Sequence, residues 1–321
     1  MILDLDTNYL NGIIPQSLGN LAILQYLYLS TNHLTGIVHE SISSLPKLQY
    51  INLYSNLLTG NIPKVFSANL QQIQLYNNLL SGSLPSLTSL IYLQVLLVQR
   101  NFLTGNLNNI FDPLTQLRVE TIVLNNNQLT GTVPEAIFRL YPSNFVGTGN
   151  CFEGPLPIAA ICSNPNMLSF VADGMSSASS CRNKLFVGPV SAYMLLHAIG
   201  GSIPACLFQL PNIATLHLSG NSFIGSIPNN ILLSDTLSDL SISHNVLTGT
   251  VPQQIQLKKW DNIDLSYNRL SGTLITNFAP NGSVELDNNR LSGDIPFSLQ
   301  TLVNVSLLGS NTFSCLYDQS D

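Results

Sequence analysis

At 321 residues the chain would ordinarily suggest two domains, but a repeat array grows without closing, so length alone sets no domain count. Charged residues make up only 9% of it, 11 Lys+Arg against 17 Asp+Glu, a mildly acidic balance that argues against nucleic acid or an anionic membrane as the main partner. A hydrophobic content of 45% is ample for a core and excludes disorder, which leaves the 21 Gly and 17 Pro to be explained structurally.

The explanation begins at the first residues. A ladder of asparagines runs through Asn8, Asn32, Asn56, Asn78, Asn101, Asn127 and Asn150, then Asn221, Asn245, Asn268, Asn289 and Asn311, in steps of mostly 21 to 26 residues. The same residue types return around each rung, as in Leu27, Leu29, Asn32, Leu34 and Gly36, and again in Leu216, Leu218, Asn221, Phe223, Gly225, Ile227 and Pro228. Self-similarity at this period predicts a solenoid. Apolar residues three and five before the Asn alternate with polar ones, the period of a strand with one buried face, and such strands stack into a parallel sheet. The Asn is expected to turn inward where the chain leaves the strand and to bond backbone groups of a tight buried turn. Glycine follows four residues later, from Gly12 and Gly36 to Gly272 and Gly293, where a positive φ or a close backbone approach is expected. Seven past the Asn come Pro15, Pro63, Pro85, Pro134, Pro157, Pro228, Pro252 and Pro296, which keep the backbone extended and open the opposite side.

These residues resemble the plant-type leucine-rich repeat, L-x-x-L-x-L-x-x-N-x-L-x-G-x-I-P, over nearly the whole chain. The family includes ectodomains of receptor kinases, receptor-like proteins and the polygalacturonase-inhibiting proteins. The resemblance implies an α/β-type repeat solenoid, a horseshoe or superhelix with a parallel concave β-sheet and an irregular or 3-10 convex side. It also implies recognition of a peptide, glycan or protein on the concave sheet, at the cell surface or outside the cell. Departures from the receptor kinases are the lack, within these residues, of a kinase, a membrane span and a paired-cysteine cap at the start. The longest apolar stretch, Leu185 to Ile199, is broken by Gly188, Pro189, Ser191 and His197 and falls short of a span. Met1 leads into Ile2 and Leu3 without a signal-peptide pattern, which leaves prior processing or a fragment as readings.

Between Asn150 and Asn221 the ladder skips. His197 has the right spacing for an irregular rung, with its strand at Ala192 to Met194, so one extra repeat length is expected as an inserted island. The expected organisation is a first repeat block at 1–157, a Cys-containing island at 158–189, a second repeat block at 190–315 and a truncated tail at 316–321. Cys151, Cys162, Cys181 and Cys206 bracket the island and are disulfide candidates, with three possible connectivities. Cys315 has no obvious mate, and its partner is expected in a missing C-terminal cap. The triplets at Asn281 and Asn304 are glycosylation candidates.

Residues six, four and two before each ladder Asn are expected on the concave face. The early repeats place Ile2, Asp4 and Asp6, then Tyr26, Tyr28 and Ser30, then Tyr50, Asn52 and Tyr54, then Gln72, Gln74 and Tyr76 there, followed by Val95, Leu97 and Gln99. Of these, Tyr26, Tyr28, Tyr50, Asn52, Tyr54, Gln72, Gln74 and Tyr76 form the candidate ligand patch, since tyrosine offers large amphipathic contact at low entropy cost. Mutual packing of the rings along the strands is the competing account of the same residues. The late repeats present Asp239, Ser241, Ser243, Asn262, Asp264, Ser266, Ser283, Glu285 and Asp287, an acidic face suited to a basic partner or simply to solvent.

No catalytic motif, cofactor fingerprint or metal-ligand spacing is present, and the expectation is a non-enzymatic protein without cofactor or metal. Asp264 and Glu285 are expected to approach each other as a carboxylate pair on adjacent strands, on an open sheet without an evident deep cleft. Two further functions compete with recognition. A structural or adhesive matrix protein would use the solenoid as a spacer, with self-association through its ends. Ice binding is suggested by polar pairs flanking the repeat glycine, at Ser81 and Ser83, Thr130 and Thr132, Thr248 and Thr250, and Ser271 and Thr273, though Glu153, Gly200 and Ile224 interrupt the series.

Overall fold

The computed structural model describes residues 1–177, 181, 199–278, 281–300, 302 and 304–314. They fall into two compact units, Met1–Asn164 with Ser177–Cys181, and Pro165–Ser176 with Arg182–Asp321. Each unit is a solenoid built on a parallel sheet. In the first unit the strands stack in chain order as Ile2–Asp4, Tyr26–Tyr28, Tyr50–Asn52, Gln72–Gln74, Val95–Leu97, Thr121–Val123 and Asn144–Val146. In the second the order is Ser169–Val171, Thr215–His217, Asp239–Ser241, Asn262–Asp264, Ser283–Glu285 and Val305–Ser306.

These strands are short because each needs only one inward side chain between two outward ones. The central residues Leu27, Ile51, Ile73, Leu96, Ile122 and Phe145 are buried in a single row, and Phe170, Leu216, Leu240, Ile263 and Val284 repeat the row in the second unit. Burying a side chain of this size contributes roughly 1.5–3 kcal/mol, so each solenoid turn is held chiefly by its neighbours. Behind the sheet, short helical turns such as Gln16–Asn20, Glu135–Phe138, Ile158–Cys162 and Gln253–Leu257 close the core. The residues just before these turns are Pro15, Pro134, Pro157 and Pro252. Their locked φ suits the entry to a turn, and the missing N–H costs nothing where no partner is needed.

The asparagine ladder carries the turn that follows each strand. Asn56 is buried; its amide donates to Leu29 O at 3.0 Å and Leu53 O at 3.1 Å, and its oxygen accepts from Leu34 N at 3.0 Å. Asn78, Asn101, Asn245 and Asn268 repeat the pattern. The residue just before the rung, Thr31 (φ 52°), Ser55 (φ 52°), Asn77 (φ 55°) or Arg100 (φ 54°), is left-handed, which swings the next side chain inward. Beyond the rung the chain forms a second set of small parallel sheets, for example Asn11–Ile13, His33–Gly36 and Leu57–Leu58. The repeat glycines lie in or beside these strands: Gly36 has φ 75°, and a Cβ there would meet Ile13 Cγ2 at 2.8 Å. The polar pairs Ser81 and Ser83, and Ser271 and Thr273, are the ends of such strands rather than free turns.

Regular elements occur within the described part of the expected island, 158–177. Ile158–Cys162 is a convex turn of the first unit, and Ser169–Val171, in the second unit, pairs in parallel with Thr215–His217. Met175, fully buried, occupies the rung, and its N–H donates to Asn221 Oδ1 at 3.1 Å. An asparagine-based ladder passes over this apolar rung. His197, the expected strand at Ala192 to Met194, Cys315 and the tail lie outside the described residues. Thr215–His217 has Ser169–Val171 on one edge and Asp239–Ser241 on the other.

Candidate ligand-binding face

On the first unit's open face, the register aligns Tyr26 with Tyr50 and Gln72, and Tyr28 with Asn52 and Gln74. Because Leu27, Ile51 and Ile73 point into the core, the residues on either side of them point outward. The tyrosines of the patch are half-buried. Their rings stack: Tyr26 on Tyr50 with centroids 4.9 Å apart, and Tyr54 on Tyr76 at 4.4 Å with planes 8° apart. Packing and availability are therefore compatible here, since stacking fixes the rings while leaving part of each accessible. Burial, followed by the charges of Tyr50, Tyr26, Asp4 and Asp6, pushes the Tyr28 hydroxyl up from its ordinary value, and burial with Tyr54 does the same for Tyr76. Both remain neutral hydrogen-bond donors at physiological pH.

Four buried acceptors on this face have no hydrogen-bond partner: Ser30 Oγ, Asn52 Oδ1, Gln99 Oε1 and Thr148 Oγ1. Ser30, Gln99 and Thr148 are each two residues before a rung, in one row across the sheet. Neighbouring strands lie about 4.8 Å apart, so the row offers acceptors along a line perpendicular to the strands. Gln74 is tied to Gln72 at 3.0 Å and the Tyr50 hydroxyl to Gln71 Oε1 at 3.2 Å, which holds the patch in place.

The second unit's face is acidic and internally bonded. His217 Nδ1 lies 3.4 Å from Asp173 Oδ2, and its Nε2 lies 3.0 Å from Asp239 Oδ1. The second contact is short but lies outside good hydrogen-bond geometry, so the ion pair is the better description of it. Burial pulls His217 down, but the two close carboxylates of Asp173 and Asp239 outweigh it and lift its pKa to about 9. The imidazolium is thus a fixed cross-link between repeats. Asp264 and Glu285 are register partners. Asp264 accepts from Ser266 N at 3.0 Å and Ser241 Oγ at 3.3 Å, which commits it to the scaffold. Burial, then Asp264 and Asp287, raise the Glu285 carboxyl. The His217–Asp173 pair is not legible from the asparagine ladder, because Asp173 lies two residues before Met175 and not before an asparagine. Aligning Met167, Phe170 and Ala172 on the leucine positions would have brought it onto the face.

Cys151 and Cys181 form a disulfide, and Cys162 and Cys206 are also disulfide-bonded. Asn281 and Asn304 are exposed. Among the described residues no helix is long and apolar enough to cross a membrane, and no group of three or more His, Cys, Asp or Glu is placed to hold a metal ion.

Comparison with known proteins agrees with this architecture. Family models described as leucine rich repeat match residues 1–58, and 118–140 with 212–232. No curated protein matches the chain. Among solved structures, the Arabidopsis receptor kinase HAESA, in complex with the peptide hormone IDA and the co-receptor SERK1, is 26% identical with a TM-score of 0.72. That match covers 97% of this chain and 54% of HAESA. The plant peptide hormone receptor RGFR1 in complex with RGF2 is 26% identical, TM-score 0.66, covering 96% of this chain and 54% of the receptor. A TDR receptor at 23% identity and a TM-score of 0.78, covering 98% and 56%, shares the fold. The chain thus spans about half the length of these structures. The asparagine rungs, the parallel sheet, the family-model matches and these neighbours together show a leucine-rich-repeat solenoid whose repeats are similar to those of plant receptor ectodomains.

Proposed function

We infer that the chain is an extracellular recognition module that binds an extended peptide across the open face of its first unit. The observation that carries this reading is the set of four unpartnered buried acceptors on that face, flanked by stacked, part-exposed tyrosines. An unpaired buried polar group costs about 1–3 kcal/mol, a penalty that ligand N–H donors relieve. A peptide backbone supplies such donors at regular intervals, and the tyrosines supply apolar contact with neutral hydroxyls beside it. Two of the similar solved structures are receptors bound to peptide hormones, which favours a peptide over a glycan. The disulfides fit an oxidising compartment, hence a location at the cell surface or outside the cell.

The test is surface plasmon resonance of the chain against pooled short peptides, with a Tyr28→Ala/Tyr54→Ala variant alongside. The reading predicts binding that falls by about tenfold or more in the variant while its melting curve stays cooperative. Binding that survives the double substitution would move the site to the Asp239 to Asp287 face. No binding across a diverse pool, with oligosaccharides bound instead or self-association seen, would replace the peptide reading.

A further inference from the structure

One corner of the first unit's face has a chemical character of its own. Asp6 Oδ1 accepts the Ser30 backbone N–H, and Asp6 Oδ2 has only the Asn52 amide, at a long 3.4 Å. An ionised carboxylate has about four lone-pair sites, so Asp6 retains accepting capacity. That contact also fixes the orientation of Asn52, because a flipped amide would set its oxygen against the carboxylate. The oxygen left over, Asn52 Oδ1, has no partner, although the residue is only 9% exposed. Ser30 is fully buried in the same corner, and its hydroxyl is likewise unpartnered.

The corner is anionic and without a counter-charge. Among the described residues the ion pairs join Arg139 with Glu135, and His217 with Asp173 and Asp239, so neither Asp4 nor Asp6 has a cationic partner. Tyr28 stands in register between Asp4 and Asn52, which sets an aromatic ring beside the two carboxylates. A neutral carbonyl or an anion would meet acceptors and negative charge here. A cationic N–H group meets a carboxylate, an amide oxygen, a hydroxyl and a ring face, each a favourable partner.

We propose that Asp6, Asn52 and Ser30 take a cationic nitrogen of the bound peptide, an arginine or lysine side chain or a free α-amine, beside the ring of Tyr28. The assignment rests on the peptide reading above and adds the direction and chemistry of one end of the ligand. The remaining row of acceptors, toward Gln99 and Thr148, then follows the peptide backbone away from this anchor.

The experiment uses two pools of short random peptides, one with free and one with acetylated N-termini, enriched on the wild-type chain. The tightest binders are then measured by calorimetry. In each, the basic group is replaced by a neutral counterpart: arginine by citrulline, lysine by norleucine, or the free amine by its acetyl form. On the wild-type chain the replacement is expected to cost about tenfold or more in affinity, the scale of a charge-assisted hydrogen bond. On Asp6→Asn, which keeps the acceptor for the Ser30 N–H, the same replacement is expected to cost less than about twofold. Ser30→Ala leaves the carboxylate in place and should keep the preference for a cation with a weaker overall affinity. Which replacement matters identifies the source of the cation. Enriched peptides without a basic group, or neutral analogues that bind the wild-type chain equally well, would overturn the cation corner. The peptide reading would still stand if Tyr28→Ala/Tyr54→Ala abolished that binding. No enrichment from either pool would overturn both.

Discussion

Replacing Asn56 by alanine tests how the solenoid is held together. The change removes the acceptor of the Leu34 N–H and the donors to Leu29 O and Leu53 O, together with a longer contact to Tyr54 O, which keeps the Thr31 N–H. The two carbonyls keep a neighbouring rung each: Leu29 O still receives Asn32, and Leu53 O still receives Asn78. The uncompensated loss is therefore one buried N–H, at about 1–3 kcal/mol, with a smaller sum from the shared carbonyls; about 2–3 kcal/mol is expected in all. Asn8 is the control, since it is exposed and bonds only Leu5 O and Asp6 O of its own turn, so Asn8→Ala should cost less than about 0.5 kcal/mol. Urea unfolding reports the totals, and native-state hydrogen exchange reports the place. The Leu34 amide should exchange about 30- to 100-fold faster in Asn56→Ala, with amides several repeats away unchanged. Equal midpoints for the two variants, or an unaltered Leu34 amide, would refute the assignment of turn stability to the rungs.

Other consequences are checked by the same methods. A Cβ at Gly282 would sit 1.9 Å from Asp261 O, so Gly282→Ala must move backbone and should cost about 3 kcal/mol. Gly12→Ala, in open space but at φ 80°, should cost only about 1 kcal/mol in urea unfolding. His217 has its folded pKa raised to about 9, so the stability it contributes is full below its unfolded value near 6.5 and is lost as pH rises through 9. With its side chain 21% exposed, the shift is discounted for screening to about 1–2 kcal/mol. Thermal melts should fall over that window in the wild type and stay flatter in His217→Gln; parallel curves would remove the clamp from the account. Cys151 and Cys181 are 30 residues apart, and breaking their bond with Cys151→Ser/Cys181→Ser should cost about 3.5 kcal/mol by loop entropy, measured against the intact chain under non-reducing conditions.

The repeating parts of this fold are legible in the sequence because the same constraint recurs in each turn. Leu27, Asn32 and Gly36 report a strand, an inward turn and a tight corner, and their return at a fixed period removes ambiguity that a single copy would leave. The alternation within Tyr26, Leu27 and Tyr28 likewise places the face. Two classes of feature stayed hidden. Met175 fills a rung by burial rather than by side-chain hydrogen bonding, so the asparagine pattern does not show its turn. Residues with no repeating identity, Thr31, Ser55 and Arg100, share a left-handed backbone that the rung imposes on them, and their side chains give no sign of it. Contacts that skip along the chain are hidden for another reason. His217 meets Asp173 from one flank and Asp239 from the other, and Asn52 reaches over to Asp6. Each pair depends on the register between strands, and register is known only once every turn, the Met175 turn included, has been counted.

The most direct test of the central claim is a hydrogen–deuterium exchange footprint of the chain with its tightest enriched peptide. The account predicts slowed exchange in the strands around residues 26–30, 50–54 and 72–76, with the convex turns and the Asp239 to Asp287 face unchanged. Protection confined to the convex turns or to the acidic face, with the tyrosine strands unaffected, would contradict it.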